Sequence, residues 1–130
     1  MNRVELDSFE KVVGQMQSVY DELSILSKKS PSDAVNAFKL GLINKLLEES
    51  SEVLGTEYWP FGDFKQFDLD EIPQNSDVVF ILSQCLQGLE KLRADNVVPK
   101  GGFWQWELDA ENEAEGKTYV RSTRPKRLRE

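Results

Sequence analysis

The stretch that decides the fold is residues 76–96, SDVVFILSQCLQGLEKLRADN. Ser76 and Asp77 suit an N-cap, because a hydroxyl or a carboxylate there accepts from the first free backbone N–H groups of a helix. The five residues from 78 to 82 are all apolar, which predicts a first turn surrounded by protein on every side. An apolar stripe at helical spacing then predicts one central helix over 76–96; it consists of Val78, Leu82, Cys85, Leu86, Leu89 and Leu92.

Length and composition indicate a single soluble domain without catalysis. The 130 residues, 39% hydrophobic and 30% charged, are enough to bury a core without disulfides or metal. We expect neither a signal peptide nor a membrane span, because no run approaches the roughly 18 consecutive apolar residues that a span needs. One cysteine cannot form an internal disulfide, which favours a cytoplasmic setting. Histidine, the usual general base near neutral pH, is absent.

Two more helices are predicted before the central one. Between residues 8 and 28 the apolar positions alternate spacings of three and four, a pattern typical of a helix in a bundle. The sequence SPSD at 30–33 predicts the start of a second helix, and Gly55 predicts its end. Gly41 is expected at a close helix crossing. The second helix should pack against two neighbours through two stripes, namely Val35, Phe38, Leu42, Leu46 and Val53, and Leu40, Ile43, Leu47 and Leu54.

Residues 56–75, TEYWPFGDFKQFDLDEIPQN, interrupt the helical pattern. Disordered segments lack aromatic residues, so five aromatics here predict an anchored segment. We expect an acidic lid that caps one end of the bundle, with a short helical turn near 61–67 as an optional fourth helix. The alternative is a pocket whose aromatic residues face a ligand. In both cases the residues concerned are Tyr58, Trp59, Phe61, Phe64 and Phe67.

The C-terminal part predicts a β-hairpin. Residues 97–102 indicate a linker, residues 103–108 alternate between apolar and polar, and residues 117–122 form a second β-prone run. A lone hairpin is marginal in water, so its apolar face should pack on the helices or on a second subunit. Because the tryptophans offer more apolar surface than a ribbon can hide, we expect a homodimer.

Charge is distributed unevenly along the chain. Residues 117–130 carry six basic residues and one acid, a net charge of +5, whereas residues 1–116 carry −12.

Together, these patterns predict a mainly α fold, with a three-helix bundle, a C-terminal β-hairpin and a basic tail. We expect one domain over 1–130, in which 1–98 form the bundle with its lid, 99–122 the hairpin and 123–130 a flexible basic tail.

The leading functional prediction is a small acidic regulatory protein that binds another protein. The hairpin aromatics and the tail cations should form the contact, through Trp104, Trp106, Tyr119, Arg121, Arg124, Lys126 and Arg127. Nucleic-acid binding by the same residues is an alternative, because cations bind phosphates and aromatic rings stack on bases. The acidic body disfavours that alternative, since it repels a polyanion.

Three glutamates of the second helix form the one pattern that suggests chemistry. Glu48-Glu49-x-x-Glu52 resembles the E-E-x-x-E helix motif of the MazG-type all-α nucleoside triphosphate pyrophosphohydrolases. Those enzymes bind magnesium with this motif and with an E-x-x-D at the start of a later helix, where this chain has Gln74-x-x-Asp77. The resemblance implies Mg²⁺ as a cofactor, held by Glu48, Glu49, Glu52 and Asp77. The alternative, with no cofactor, is that these acids are the solvated last turns of an amphipathic helix.

Overall fold

Three helices are followed by a three-stranded antiparallel sheet in the computed structural model, which describes residues 1–110 and 116–126. The elements are α1 (Arg3–Lys29), α2 (Ala37–Tyr58), α3 (Asn75–Asn96), β1 (Val97–Lys100), β2 (Phe103–Leu108) and β3 (Thr118–Arg121). The prediction of a mainly α chain with a C-terminal hairpin is confirmed. No helix among the described residues is long and apolar enough to cross a membrane.

The first helix starts five residues earlier than predicted. Asn2 and Glu5 form a capping box, in which the Glu5 N–H donates to Asn2 Oδ1 at 2.8 Å and the Asn2 N–H donates to Glu5 Oε1 at 3.3 Å. The buried residues on the inner side of α1 are Leu6, Phe9, Val12, Met16 and Leu23. The apolar spacing therefore identified the helix, whereas its start depended on a capping pair that lies outside the apolar pattern.

The second helix starts later than predicted. Asn36 caps it by accepting from the Lys39 N–H at 3.1 Å, so the predicted start at 30–33 is wrong. Ser30 instead ends α1, with its N–H donating to the carbonyl oxygen of Leu26 at 2.8 Å. Gly55 has φ +62° and interrupts α2 where the stop was predicted, but one further turn follows.

The third helix forms over nearly the predicted range and contacts both other helices. Its first turn is not enclosed on every side, because Phe80 points outward and is exposed. The close helix contact is at Gly88, where a Cβ would lie 2.7 Å from the carbonyl oxygen of Tyr58. The prediction for Gly41 is wrong, since a Cβ there would meet nothing within 4 Å.

The sheet extends the predicted hairpin by one strand. β1 follows α3 directly and occupies the segment that was predicted as a linker. Gly101 (φ +62°) and Gly102 (φ +82°) connect it to β2 in a two-residue turn, which requires the left-handed conformation that glycine adopts freely. β2 lies in the middle of the sheet, with Trp106 opposite Val97 on one side and opposite Val120 on the other.

Trp106 and Arg93 join the sheet to the helices. The Trp106 ring packs edge-to-face on Phe9 of α1, with 5.0 Å between ring centroids. The buried Arg93 guanidinium lies 5.2 Å from the Phe9 ring centre and 5.5 Å from that of Trp106. Its Nη1 donates to Glu10 at 3.3 Å and to the Ser122 hydroxyl at 2.9 Å. One buried cation thus connects α1, α3 and the residue after β3, and its pairing offsets the cost of removing it from water.

The chain after β3 turns back onto the helices. The Lys126 backbone N–H donates to Glu90 of α3 at 3.3 Å, and its Nζ lies 3.5 Å from the amide oxygen of Gln17. Residues 127–130, with Arg127 of the predicted binding set, lie outside the described residues. The predicted flexible tail over 123–130 is therefore described for its first four residues alone.

Candidate functional site

The outward side of α2 carries apolar residues that the rest of the described chain leaves uncovered. The stripe of Leu40, Ile43, Leu47 and Leu54 is buried in the core. In the other stripe Val35 and Leu46 are buried, but Phe38 is 76% exposed and Leu42 is 57% exposed. The prediction that both stripes pack within the chain is therefore wrong for Phe38 and Leu42. Among residues 1–110 and 116–126 no element covers these two side chains.

A groove runs between α1 and α2 and continues onto the lid. It consists of three adjoining cavities of about 560, 340 and 430 Å³. Lys11 and Glu49 line both the first and the second cavity, and Glu52 lines both the second and the third, so the three form one groove. The apolar residues along it are Val19, Leu42, Leu46, Val4, Val12, Val53, Trp59 and Phe61. We call it the α1–α2 groove.

Charges of both signs accompany these apolar residues. The basic residues of the α1–α2 groove are Lys11, Lys45 and Lys65, and the acidic ones are Glu5, Glu49 and Glu52. A cavity for a small anion would need cations in excess, whereas protein-binding surfaces combine apolar residues with polar and charged neighbours. The groove therefore combines apolar residues with three basic and three acidic side chains.

The lid carries a row of four aromatic rings. Trp59 and Phe61 lie 5.6 Å apart between ring centroids, Phe61 and Phe64 lie 5.6 Å apart, and Phe64 and Phe67 lie 5.2 Å apart. Each pair is edge-to-face, the arrangement that aromatic quadrupoles favour. Residues 59–73 form no helix, so the predicted helical turn near 61–67 is wrong. The anchored aromatic segment itself is present.

Asn44 of α2 holds the far end of this row. Its Nδ2 donates to the carbonyl oxygen of Phe67 at 2.9 Å, and the Phe67 N–H donates to its Oδ1 at 2.8 Å. Nearer α2, the Trp59 indole N–H donates to the carbonyl oxygen of Phe64 at 2.9 Å. The sequence interpretation missed Asn44. The sequence feature that could have identified Asn44 is a polar residue four positions after Leu40, on the stripe that faces the core.

Tyr58 contributes to the contact between α2 and α3. Its hydroxyl donates to Asp95 Oδ2 at 2.7 Å. Burial raises the pKa of Tyr58 to about 12, with further contributions from the hydrogen bond to Asp95 and from its charge. The hydroxyl therefore stays protonated and keeps donating at ordinary pH.

Cys85 lies in the core of α3, among the most deeply buried side chains of the protein. Burial raises the pKa of its thiol to about 12. Because the thiolate is the reactive form of cysteine, a thiol that keeps its proton at ordinary pH is a poor nucleophile. Cys85 is therefore a packing residue.

The predicted magnesium ligands do not gather around one point. Glu48 is exposed on α2, whereas Glu49 and Glu52 line the α1–α2 groove. Asp77 lies in the first turn of α3, where its carboxylate accepts from the Gln74 N–H at 3.1 Å. Within the part of the chain that the structure describes, no three His, Cys, Asp or Glu residues form a group that could hold a metal ion.

The predicted partner-binding residues are divided between the two faces of the sheet. Trp106 is 1% exposed and belongs to the core, so it is not available to a partner, and this part of the prediction is wrong. Trp104 is on the same face at the end of β2 and is 37% exposed. Tyr119 pairs with Glu107 and therefore lies on the opposite face, as does Arg121.

The two described tail cations of the predicted binding set differ in their surroundings. Arg124 is exposed, whereas Lys126 contacts Glu90 and Gln17. Arg127 lies outside the described residues. The expectation that these cations bind a partner stays a prediction.

Comparison of the chain with protein-family models, with curated proteins and with solved structures found no match. The resemblance of the glutamate motif to MazG-type enzymes is therefore not accompanied by a family match.

Proposed function

We propose that this protein is a small regulatory binding protein that acts through protein–protein contacts, without catalysis. The proposed partner element is an amphipathic helix of another protein, which places its apolar side in the α1–α2 groove. The observation that carries this proposal is the exposure of Leu42, which lines the groove on a helix stripe that the described chain leaves uncovered. A cytoplasmic setting remains part of the proposal, because one cysteine cannot form an internal disulfide.

The dimensions of the groove support a helical partner. From Leu42 to Val53 the groove follows α2 for about 16 Å, since a helix rises about 1.5 Å per residue, and beyond the interruption at Gly55 it continues to Trp59 of the lid. Helices that bind in grooves insert apolar residues at spacings of three and four over such lengths. Trp59 at one end is a residue type that often dominates the binding energy at protein interfaces, and Leu42 at the other end adds an exposed apolar side chain.

Replacement of Leu42 by glutamate tests the proposal, with Leu69 as a matched control. Both are leucines of nearly equal exposure, 57% and 56%, but Leu69 lies in the loop before α3 and does not line the groove. Leu42→Glu places a charge against the apolar side of the partner and should abolish co-purification of the partner from host cells. Leu69→Glu should leave it unchanged. The melting temperature should stay nearly constant in both variants, because both side chains are exposed.

Photo-cross-linking identifies the occupant of the groove. A benzophenone amino acid in place of Leu42 should cross-link to one segment of another protein with apolar residues at helical spacing, whereas the same group in place of Leu69 should not. Cross-links from position 42 to a second copy of this chain would instead assign the groove to the homodimer that the sequence predicts. Equal cross-linking from both positions would contradict the proposal.

A further inference from the structure

A second surface of the protein consists of cations that lie on aromatic rings. Lys100 Nζ lies 3.4 Å from the centre of the Tyr119 ring, and the Arg121 guanidinium carbon lies 3.7 Å from that of Phe103. These four residues, together with Val98, Gln105 and Glu107, form the side of the sheet that faces away from Trp106. We call this surface the outer sheet face.

The strand register explains why these residues share one face. Lys100 of β1 is opposite Phe103 of β2, and Gln105 of β2 is opposite Arg121 of β3. Side chains alternate between the faces of a sheet, and cross-strand partners lie on the same side, so Phe103, Gln105 and their partners all face outward. Tyr119 joins them because it is two residues before Arg121 on β3.

The outer sheet face is positive, whereas the helical part of the chain is negative. Residues 1–96 contain 17 acidic and nine basic residues, a net charge of −8. Lys100 and Arg121 are exposed, and neither forms an ion pair with a carboxylate of residues 1–110 or 116–126. Lys117 of the same sheet differs, because it pairs with Glu107, and this contact raises the pKa of Lys117.

We propose that the outer sheet face binds an acidic segment of a partner protein, whose carboxylates contact Lys100 and Arg121. A guanidinium that lies flat on a ring still presents its N–H edge, and that edge fits a carboxylate with two parallel hydrogen bonds. The ring also limits the freedom of the cation beforehand, so less conformational entropy is lost on binding. Two separate cations suit a ligand that carries at least two carboxylates, as an acidic segment does.

The same geometry disfavours single-stranded nucleic acid. Proteins that bind single strands stack bases on the open faces of aromatic rings. Here the Phe103 and Tyr119 rings already carry cations on one face each.

The test uses fluorescent oligoglutamate as the probe, with oligoglutamine of equal length and a single-stranded oligothymidylate for comparison. Fluorescence anisotropy should show binding of oligoglutamate to the full chain at low salt, weakening as salt rises, and no binding of oligoglutamine. The double variant Lys100→Gln, Arg121→Gln should bind oligoglutamate about three- to tenfold more weakly. The matched control Lys28→Gln, Lys29→Gln removes two exposed lysines at the end of α1 and should bind normally.

A third variant tests the role of the ring. Phe103→Leu keeps an apolar side chain at this position of β2 but removes the ring under Arg121, so oligoglutamate should bind about two- to fivefold more weakly. Failure of oligoglutamate to bind, an equal loss in the α1 control, or tighter binding of oligothymidylate would overturn the proposal, and the last result would assign the face to nucleic acid. Leu42→Glu should leave oligoglutamate binding unchanged, so this test is independent of the α1–α2 groove.

Discussion

Gly88 is the residue that permits the close contact between α3 and the end of α2. A Cβ at this position would lie 2.7 Å from the Tyr58 carbonyl oxygen and 3.4 Å from a methyl group of Leu54. The nearer atom belongs to the backbone, so it cannot move aside as the end of a flexible side chain can. In the same segment of α2, the Tyr58 hydroxyl donates a hydrogen bond to Asp95 of α3. Because Gly88 has no side chain, α3 and the end of α2 lie close enough together for this hydrogen bond to form.

Gly88→Ala should destabilise the protein although alanine favours helices. Overpacking costs about 1–3 kcal/mol, whereas the higher helix propensity of alanine contributes about 1 kcal/mol, so we expect a net loss of up to about 2 kcal/mol in the free energy of unfolding. Denaturant titration followed by circular dichroism measures it. The control is Gly41→Ala on α2, where a Cβ meets nothing within 4 Å, and it should raise the free energy by about 0.5–1 kcal/mol. Stabilisation by both substitutions would show that the helices can separate at Gly88 without cost.

The lid shows at the scale of an element how a segment without helix or strand is held in place. Its aromatic row runs from Trp59 to Phe67, and Asn44 binds both the N–H and the carbonyl oxygen of Phe67. At the other end, the Val35 N–H donates to the Pro73 carbonyl oxygen at 3.0 Å. The lid therefore holds Trp59 and Phe61 in position along the α1–α2 groove.

Asn44→Ala should loosen the lid without unfolding α2. The substitution leaves both backbone groups of Phe67 without their partner, which costs about 1–3 kcal/mol in the free energy of unfolding when such groups are buried. Hydrogen exchange at the Phe67 amide should become faster, whereas amides in the middle of α2 should exchange at rates that follow global stability alone. Gln66→Ala is the control, because Gln66 is exposed in the same loop. Unchanged exchange at Phe67 would mean that the aromatic row alone holds the lid.

At the scale of the whole molecule, the sheet and the helices share one core. Trp106 of β2 packs on Phe9 of α1, and Arg93 of α3 reaches Ser122 beyond β3. The helices therefore need the sheet to cover Phe9, and the sheet needs the helices to bury Trp106. A chain built in this way should unfold in a single transition.

The two tryptophans of β2 provide a matched test of this shared core. Trp106→Ala should cost about 3–5 kcal/mol in the free energy of unfolding, because it removes a large buried ring. Trp104→Ala should cost clearly less, because that side chain is 37% exposed. In a Trp59→Phe variant, whose two remaining tryptophans both lie in β2, helix circular dichroism and tryptophan fluorescence should change at the same temperature. Loss of the fluorescence signal at a lower temperature would show that the sheet unfolds separately.

The α2 stripe shows where pattern reasoning succeeds and where it stops. Periodicity correctly predicted that residues such as Leu40 and Leu47 form a helix side that is buried, because a 3.6-residue repeat places them in one row. It could not tell that Phe38 and Leu42 remain exposed, since a second apolar row looks the same whether a neighbour covers it or not. The sequence pattern therefore predicted the apolar residues that α2 contributes to the α1–α2 groove, but it did not predict that Leu42 among them is exposed.

The sequence by itself determined the three helices, their order and the hairpin of β2 and β3, because helix and strand periodicity are local properties of the chain, although β1 and the starts of α1 and α2 were not predicted. Contacts between distant residues were decided by the tertiary structure alone. Arg93 lies in the last turn of α3, where a cation suits the helix dipole, yet its side chain is buried and connects to Phe9 and Ser122. Lys100 and Tyr119 are 19 positions apart and meet because the strand register places them on one face. Such contacts depend on how elements pack, and packing energy is spread over many residues that no local pattern records.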